Sequence, residues 1–431
     1  MAEPLTYLGR INWRNDERPF GIHTTDRLAH MYVVGKTGTG KSSFLEFLLR
    51  QDLANRHGLA LFDPHGDLVE RVHAWALAHG RTDVIYLDVP NVEQPFGFNP
   101  LANVPSLRRS LVAAGLIEAL KKMFADAWGV RMEHFLRYAL LLLLDQPSAT
   151  IADIPRLFTE PDYRKAAIAN AVHPQVQRFW TLEFPSYPVR MRMEAVAPVM
   201  NKIGAFLADP FLHRILATPD STFNLREVMD KRQVLLVNLA KGKIGEGPAA
   251  AFGALLMASI GIAGLSRSEL PEDTRQPFYV YGDEFQTYTT LAIANMLAEL
   301  RKFAVAMVLT GQYIDQTEEE VRSAIMGNVG TLIAFRVGAE DAGTLRKEFA
   351  PEFEIDDLIS LPNRQFCVRM LVHGEFARPF TGRTVDINAA NMAQASLSNA
   401  FTSAFKELDP IPRFKAAARL APFLAEFSRD N

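Results

Sequence analysis

Short apolar runs alternate with helix-like segments over the first hundred residues. The runs at Met31–Val34 and at residues 59–62 and 84–87 are rich in β-branched and aromatic residues, which predicts strands. Between the first two runs, residues 42–55 place apolar side chains at helical spacing. The succession of strand, loop, helix and strand is typical of a parallel α/β sheet.

The pattern changes between residues 101 and 230, where helical periodicity dominates. Apolar residues fall on one helix face, and these are Leu116, Leu120, Met123, Phe124 and Ala127. Thr150 followed by Asp153, and Asn224 followed by Glu227, resemble capping boxes at helix starts. We predict an all-α insertion over residues 101–230.

Strand-like runs return after the insertion, at residues 234–239, 278–281, 305–310, 331–335 and 367–372. Helical patterns at residues 250–265 and 291–302 separate them. We therefore predict one discontinuous α/β domain formed by residues 1–100 and 231–388. Residues 389–431 predict a helical C-terminal tail that packs on the body or on a neighbour, with packing on the body favoured.

Composition adds that this is an ordinary globular chain of 431 residues, with 46 Lys+Arg, 49 Asp+Glu and a formal charge of -3. This balance excludes collagen-like, disordered and polybasic-tail proteins. A nucleic acid, if it is the partner, must then be bound by a local patch, because the global field is weak. The single cysteine, Cys367, excludes an intrachain disulfide and a multi-cysteine metal site, and it suits a reducing compartment.

No segment resembles a targeting signal, since residues 1–10 lack an apolar run. The most apolar stretches, residues 138–144 and 251–265, are shorter than the roughly 18–20 residues of a membrane-spanning helix. We interpret both as buried helices, and we expect a cytoplasmic protein with no membrane span in this chain.

A complete phosphate-binding loop follows the first predicted buried strand and opens a helix. Its residues are Gly35, Lys36, Thr37, Gly38, Thr39, Gly40, Lys41 and Ser42, with Ser43 directly after them. Glycines let backbone N–H groups surround phosphates, Lys41 reaches the β- and γ-phosphates, and the Ser42 hydroxyl ligates Mg²⁺. The motif in this context predicts binding of ATP and Mg²⁺ and makes a chance Gly-rich turn the weaker interpretation.

An acidic pair ends a second apolar strand, at Asp283 and Glu284. We expect Asp283 to hold the Mg²⁺ shell and Glu284 to polarise the attacking water, as in-line phosphoryl transfer requires. Acidic residues also cap helices and start turns, so the pair alone is weak evidence for a catalytic site and indicates one only in combination with the phosphate loop. Together they favour hydrolysis over mere binding.

Three further residues are candidates for the same chemistry. Gln312 follows the strand at residues 305–310 and can hydrogen-bond the γ-phosphate or the water, unless it is simply a solvated strand end. Arg301 and Arg336 are candidate arginine fingers, and either can equally be a surface ion pair. The chain has one phosphate loop, which excludes a two-lobed helicase, so an arginine finger, if the protein has one, must come from another subunit; this points to a ring with cyclic symmetry.

Several stretches, spread from about residue 8 to residue 385, resemble the additional-strand ring ATPases that include the FtsK and HerA pumps. The similarity is greatest to the coupling ATPases of conjugative type IV secretion, of the TraD and TraG type. The stretches that carry it are residues 20–27, 61–68, 98–101, 283–286, 300–303, 310–312 and 335–338.

This resemblance implies a RecA-like P-loop NTPase core with a parallel-rich sheet and an inserted all-α domain. It implies a homo-hexameric ATPase that moves single- or double-stranded DNA through a central channel. Carried over by residue, Lys41 and Ser42 bind phosphate and Mg²⁺, Glu284 and Asp283 are the acids, Gln312 is the γ-phosphate sensor, and Arg301 is the finger with Arg336 second. A relaxase or another secretion protein is a candidate partner, and a partner would recruit this cytoplasmic chain to the inner membrane.

Candidate DNA contacts are Lys241 and Lys243 in a Gly-rich turn and Arg190 and Arg192 in the helical insertion. Such phosphate contacts are independent of sequence and sensitive to salt. A solvated surface explains any single one of them at least as well.

Three alternative functions stay open at this point. The first is a ring ATPase that acts on protein, or on phage or repair DNA. The second is a nucleotide-gated adaptor that recruits cargo and rarely turns over. The third, a metabolic kinase, ranks low because the acidic pair and Gln312 serve water attack and no acceptor pocket is legible.

Overall fold

The computed structural model describes residues 5–13, 16–93, 96–123, 128–314 and 317–385. The predicted C-terminal tail and the helix-face residues Phe124 and Ala127 lie outside these ranges. The strands within them are β1 (Leu5–Ile11), β2 (Pro19–His23), β3 (Met31–Val34), β4 (Gly58–Asp63), β5 (Val84–Asp88), β6 (Val234–Asn238), β7 (Phe278–Gly282), β8 (Val305–Gly311), β9 (Thr331–Ala334), β10 (Gln365–Val372), β11 (Glu375–Phe376) and β12 (Phe380–Arg383).

Helices occupy much of the remaining described chain. They are α1 (Thr24–Arg27), α2 (Lys41–Ala54), α3 (Asp67–Ala78), α4 (Arg109–Met123), α5 (Val130–Leu143), α6 (Ile154–Thr159), α7 (Pro161–Ala169), α8 (Pro174–Arg178), α9 (Phe184–Ser186), α10 (Val189–Ala208), α11 (Pro210–Leu216), α12 (Leu225–Asp230), α13 (Lys241–Ile244), α14 (Glu246–Ser266), α15 (Leu291–Glu299), α16 (Glu319–Asn328), α17 (Ala339–Phe349) and α18 (Ile355–Ser360). Short 3-10 turns flank several of these helices, including Phe285–Thr287 after β7 and Leu300–Phe303 before β8.

One large sheet organises the described chain, in the order β2-β1-β12-β10-β9-β3-β8-β7-β4-β6-β5, with β11 paired to β10. From β9 to β5 every neighbouring pair is parallel, whereas β10, β12, β1 and β2 join by antiparallel pairing. The parallel-rich α/β fold predicted from the sequence is confirmed.

The central strands are buried on both faces, which explains their continuous apolar runs. In β3, Val33 faces one hydrophobic core with α2 and α3, whereas Tyr32 and Val34 face the other core. The second core includes α4, α14 and the helices between residues 130 and 230. Parallel strands covered on both sides lose the alternating pattern of a half-exposed sheet.

Between β5 and β6 the described residues form helices and turns and no strand. Thr150 and Asp153 form the reciprocal capping box that the sequence predicts, whereas the Asn224 side chain accepts from the N–H groups of Arg226 and Glu227. The division into a discontinuous α/β domain and an α-helical insertion, with boundaries at residues 100 and 230, stays a prediction.

The long helix α14 differs from its sequence prediction in length. The apolar run at residues 251–265 lies inside a helix of 21 residues. The segment Glu246–Glu269 is long and apolar enough to cross a membrane by length and composition alone, and 67% of its most apolar window is buried inside the protein. It contacts α4, α12 and α15, as a core helix does.

Candidate nucleotide-binding site

The carboxyl ends of the parallel strands meet at one edge of the sheet, which we call the carboxyl edge. Strand register pairs Val34 with Gly311 in β3 and β8, and Gly282 with Leu309 in β7 and β8. The loops that follow these strands carry the phosphate loop, Gln312 and the acidic pair. Open parallel sheets bind their ligands at this edge.

The phosphate loop depends on three glycines. Gly38 and Gly40 have φ values of +76° and +121°, which side-chain-bearing residues rarely adopt. A Cβ on Gly35 would lie 2.6 Å from the Cβ of Phe335, whereas a Cβ on Gly38 would meet nothing within 4 Å. The loop is thus packed against Phe335 at its base and open at its tip.

Lys41 is the first residue of α2 and turns its side chain under the loop. Its Nζ donates to the carbonyl oxygens of Gly35 and Lys36, and the residue is only 9% exposed. Burial lowers the pKa of Lys41, and attraction from Asp283 and Glu284 counters this in part. Ser42 and Ser43 follow, both exposed.

Asp283 is buried directly after β7. Its Oδ1 accepts from the Thr310 hydroxyl at 2.6 Å, and its backbone N–H donates to the Phe62 carbonyl at 3.0 Å. Burial raises the pKa of Asp283, and the nearby carboxylates of Asp63 and Glu284 raise it further, whereas the Thr310 hydrogen bond and the charge of Lys41 lower it in part. The structure therefore holds a carboxylate whose negative charge is costly without a cation beside it.

Glu284 has left-handed backbone angles, φ +40° and ψ +50°, which are strained for this residue type. Its N–H lies 3.2 Å from the Thr310 hydroxyl oxygen. Its Oε2 lies 3.1 Å from Lys241 Nζ and 3.0 Å from His65 Nε2. Burial alone would raise the pKa of Glu284, but these two hydrogen bonds and charges outweigh burial and lower it.

Gln312 reaches the phosphate loop directly, because its Nε2 donates to the Thr37 hydroxyl. The structure thus brings Gln312, Lys41 and the acidic pair to the same edge. Their roles in catalysis stay predictions.

The two candidate fingers lie in different places. Arg336 follows β9, its carbonyl accepts from Lys36 N at 2.9 Å, and its guanidinium donates to the Asn363 side chain at 2.8 Å. Arg301 is exposed in the 3-10 turn before β8, at the opposite edge of the sheet. A strand the length of β8 separates the two edges by about 20 Å, so Arg301 does not belong to its own chain's site.

The predicted DNA contacts also separate. Lys241 is ion-paired to Glu284, whereas Lys243 is exposed in the same turn. Arg190 is 91% exposed and ion-paired to Glu194, and the Arg192 guanidinium lies 5.5 Å from the Phe184 ring centroid. Only Lys241 is brought to the site.

Sequence reasoning missed the contributions of His65 and Thr310. Asp63, in the stretch 61–68 that carries part of the family resemblance, accepts hydrogen bonds from the N–H groups of His65, Leu68 and Val69 and so caps α3. This cap places His65 beside Glu284. The sequence did contain a signal for His65: it comes two residues after the predicted buried strand β4, and residues that follow a parallel strand lie at the carboxyl edge of the sheet.

The residues present fit a nucleotide with Mg²⁺. Gly38 leaves open space at the loop tip, and within the described residues the buried Asp283 carboxylate accepts from the Thr310 hydroxyl and the Glu284 N–H and forms no ion pair at hydrogen-bond distance. No cluster of three or more His, Cys, Asp or Glu suited to a metal occurs in the part of the chain that the structure describes. Mg²⁺ does not require one, because it keeps several waters and takes its other ligands from one or two protein groups and the substrate phosphates.

This fold and this edge define a P-loop protein with a RecA-like core. Residues 20–355 match the type IV secretion-system coupling protein DNA-binding domain. The match spans more than three quarters of the chain, and the chain belongs to this family.

Solved structures of related proteins have the same fold. The bacterial conjugative coupling protein TrwB, lacking its first 70 residues and unbound, aligns with a TM-score of 0.59 and 15% identity, covering 88% of each chain. TrwB in complex with ADP and Mg²⁺ aligns with a TM-score of 0.62 and 15% identity, covering 89% of this chain and 96% of the other. VirB4 of Thermoanaerobacter pseudethanolicus aligns with a TM-score of 0.58 and 13% identity, covering 88% and 96%. No curated protein sequence matches the chain.

Proposed function

We propose that this protein is an ATP-hydrolysing, DNA-translocating motor of the coupling-protein type, acting in conjugative transfer or type IV secretion. One observation carries the proposal: a complete phosphate loop faces Asp283 and Glu284 across a single strand, with Gln312 bonded to the loop. The family match and the ADP and Mg²⁺ complex of TrwB support it.

In this proposal each group has one task. Lys41 and the loop N–H groups bind the β- and γ-phosphates, and Ser42 and Asp283 hold Mg²⁺, which neutralises developing phosphate charge when bound. Glu284 orients the attacking water and accepts its proton. Gln312 spans from the end of β8 to the loop, so it is placed to respond to the γ-phosphate.

The proposal includes a homo-hexameric ring in which Arg301 completes the site of a neighbouring subunit. The exposed position of Arg301, remote from its own chain's phosphate loop, supports action in trans. Arg336 is bonded to Asn363 beside its own phosphate loop and is the second candidate.

Passage of DNA through the ring is the remaining part of the proposal. We place the protein in the cytoplasm, recruited to the inner membrane by a partner such as a relaxase or another secretion protein. Lys243, Arg190 and Arg192 are exposed or partly exposed cations available for phosphate contacts.

Steady-state ATP hydrolysis tests this function directly. The protein is assayed with no DNA, single-stranded DNA and double-stranded DNA at low and moderate salt, with Lys41→Ala as the blank. We expect stimulation by DNA that weakens as salt rises. Strong hydrolysis that ignores both forms of DNA would contradict the DNA motor and favour a protein substrate, and absence of hydrolysis would favour an adaptor.

A further inference from the structure

The turn that carries Lys241 is fastened to the segment that carries His65. Lys241 opens the four-residue helix α13, between Ala240 at φ +39° and Gly245 at φ +92°. Its backbone N–H donates to the Pro64 carbonyl at 2.7 Å, and Leu239 N–H donates to the Asp63 carbonyl at 3.0 Å. The two segments follow β6 and β4, which are neighbours in the sheet, so their side chains start from a fixed separation.

Both side chains converge on one oxygen of Glu284. Lys241 Nζ lies 3.1 Å and His65 Nε2 lies 3.0 Å from Oε2. Within the described residues no hydrogen bond to the other oxygen, Oε1, is recorded. Two donors on a single oxygen fix the carboxylate plane and leave the second oxygen to accept from another molecule.

We propose that Lys241 and His65 are positioning residues for hydrolysis, which hold Glu284 so that Oε1 faces the attacking water. This inference rests on the proposed function, because it takes Glu284 as the group that accepts the proton. Neither Lys241 nor His65 exchanges a proton in the reaction. Their contribution is orientation, and a displacement of about 1 Å in a catalytic group can cost roughly 100-fold in rate.

The contacts argue for orientation over a purely structural role. All three side chains are partly exposed, with 27% for Lys241, 25% for Glu284 and 49% for His65, so burial does not require the ion pair. Exposed ion pairs add about 0–1 kcal/mol to stability, which is too little to explain two donors on one strained residue. The fold is instead secured nearby by the buried Asp63 cap.

The test is a kinetic cycle without DNA, using the full chain. Lys241→Met and Lys241→Arg are each made alone and combined with Glu284→Gln, and kcat and KM for ATP are measured. Lys231→Met is the matched control, because Lys231 forms a surface ion pair with Glu227 remote from the site. Binding of a fluorescent ATP analogue confirms that each variant folds and binds nucleotide.

We expect Lys241→Met to lower kcat by roughly 10- to 100-fold with KM changed less than about threefold, and Lys241→Arg to retain most activity. In the Glu284→Gln background, Lys241→Met should change kcat by less than about twofold, because its partner is already removed. An unchanged or raised kcat for Lys241→Met, or an equal loss in both backgrounds, would overturn the inference.

A second variant covers the case in which Lys241→Met fails to fold. His65→Ala should give the same kcat loss at constant KM and the same dependence on Glu284. If Glu284→Gln alone leaves kcat at the wild-type value, the proposed role of Glu284 fails, and this outcome is distinct from a Lys241 effect that persists without Glu284.

Discussion

The two edges of the parallel sheet use charged residues in opposite ways. At the carboxyl edge, Lys41 donates to carbonyls of the phosphate loop and attracts the nearby carboxylates of Asp283 and Glu284, and open space remains at Gly38. At the other edge, where the strands begin, Arg81 and Arg267 are almost fully buried. Arg81 donates to the carbonyls of residues 53, 57 and 232, and Arg267 donates to those of residues 276, 303 and 304.

The difference shows that buried charged side chains have two different roles in this fold. The arginines join the loops that precede β4, β6, β7 and β8, and their hydrogen bonds replace the water they lost. Asp283 is buried with few partners, and burial raises its pKa. In the proposed function its carboxylate holds Mg²⁺. In the proposed function, the strand-start edge therefore contributes stability, whereas the carboxyl edge gives up stability for nucleotide binding and hydrolysis.

The largest effect is expected for Glu284→Gln at the carboxyl edge. It should lower kcat by roughly 10²- to 10⁴-fold, because the water loses its base, while nucleotide binding and thermal unfolding stay near wild type. Steady-state kinetics with a binding assay measures this. Hydrolysis at the wild-type rate would show that the edge works by another mechanism.

Arg267→Met should have the complementary effect at the opposite edge. Loss of its hydrogen bonds to the partly buried carbonyls of Phe303 and Gln276, and of its ion pair with Asp230, should lower the free energy of unfolding by about 3 kcal/mol, with kcat per folded molecule unchanged. Urea unfolding measures it, and Arg190→Met, at an exposed site, should change the value by less than about 0.5 kcal/mol. Equal destabilisation by both variants would remove the distinction.

His30 makes the stability of the strand-start edge depend on pH. Burial lowers the pKa of His30 from 6.5 to about 4, the Leu297 carbonyl opposes this shift and Arg301 adds to it. Above pH 6.5 the residue is neutral in both states, and as pH falls toward 4 only the unfolded chain takes up the proton. Because of this residue, the free energy of unfolding should fall by about 2 kcal/mol as the pH is lowered from 7.5 to 5.

Urea unfolding of the wild type and of His30→Asn at these two pH values isolates that contribution. Asn tolerates the positive φ of +65° at this position. The variant should lose less stability than the wild type on acidification. Parallel pH dependences would contradict the assignment.

At the carboxyl edge, Asp283→Asn should raise the free energy of unfolding, whereas Arg267→Met should lower it at the opposite edge. The pKa of Asp283 is raised, so its contribution to stability is greatest below its unfolded pKa and is lost as pH rises through the folded value. Asn keeps an acceptor for Thr310 without the charge, and it should raise the free energy of unfolding by on the order of 1 kcal/mol at pH 7.5 while abolishing hydrolysis. Unfolding is measured with a chelator present, and destabilisation would oppose the account.

The apolar runs predict the parallel strands and the antiparallel strand β10, but they do not predict β1, β2, β11 or β12. Fully buried strands such as β8 are continuous apolar runs, whereas β2 and β12 contain Gly, Pro or polar residues and pair antiparallel at the far side of the sheet. The sequence pattern therefore predicts the parallel part of the sheet and β10 but not the antiparallel strands β1, β2 and β12 that extend it.

The residues of the candidate site also fall into a part that the sequence predicts and a part that it does not. The phosphate loop and the acidic pair are local sequence patterns, and the sequence predicts them together with the strands that precede them. The convergence of Lys241 and His65 on Glu284 depends on β4 lying between β7 and β6, and strand order is a property of the folded sheet. For this reason the sequence predicts Lys241 as a DNA contact, whereas the structure places it beside Glu284.

Arg301 is the exposed charge at the strand-start edge that the account assigns to chemistry, and a mixing assay tests this assignment most directly. The Arg301→Ala and Lys41→Ala variants should each still assemble with other subunits, but each alone should hydrolyse ATP very slowly. Mixed in varying ratios, they should regain part of the wild-type activity, because an Arg301 from the Lys41 variant can complete the intact phosphate loop of the other. No recovery at any ratio, with mixed assembly demonstrated, would contradict a site completed by a neighbouring subunit.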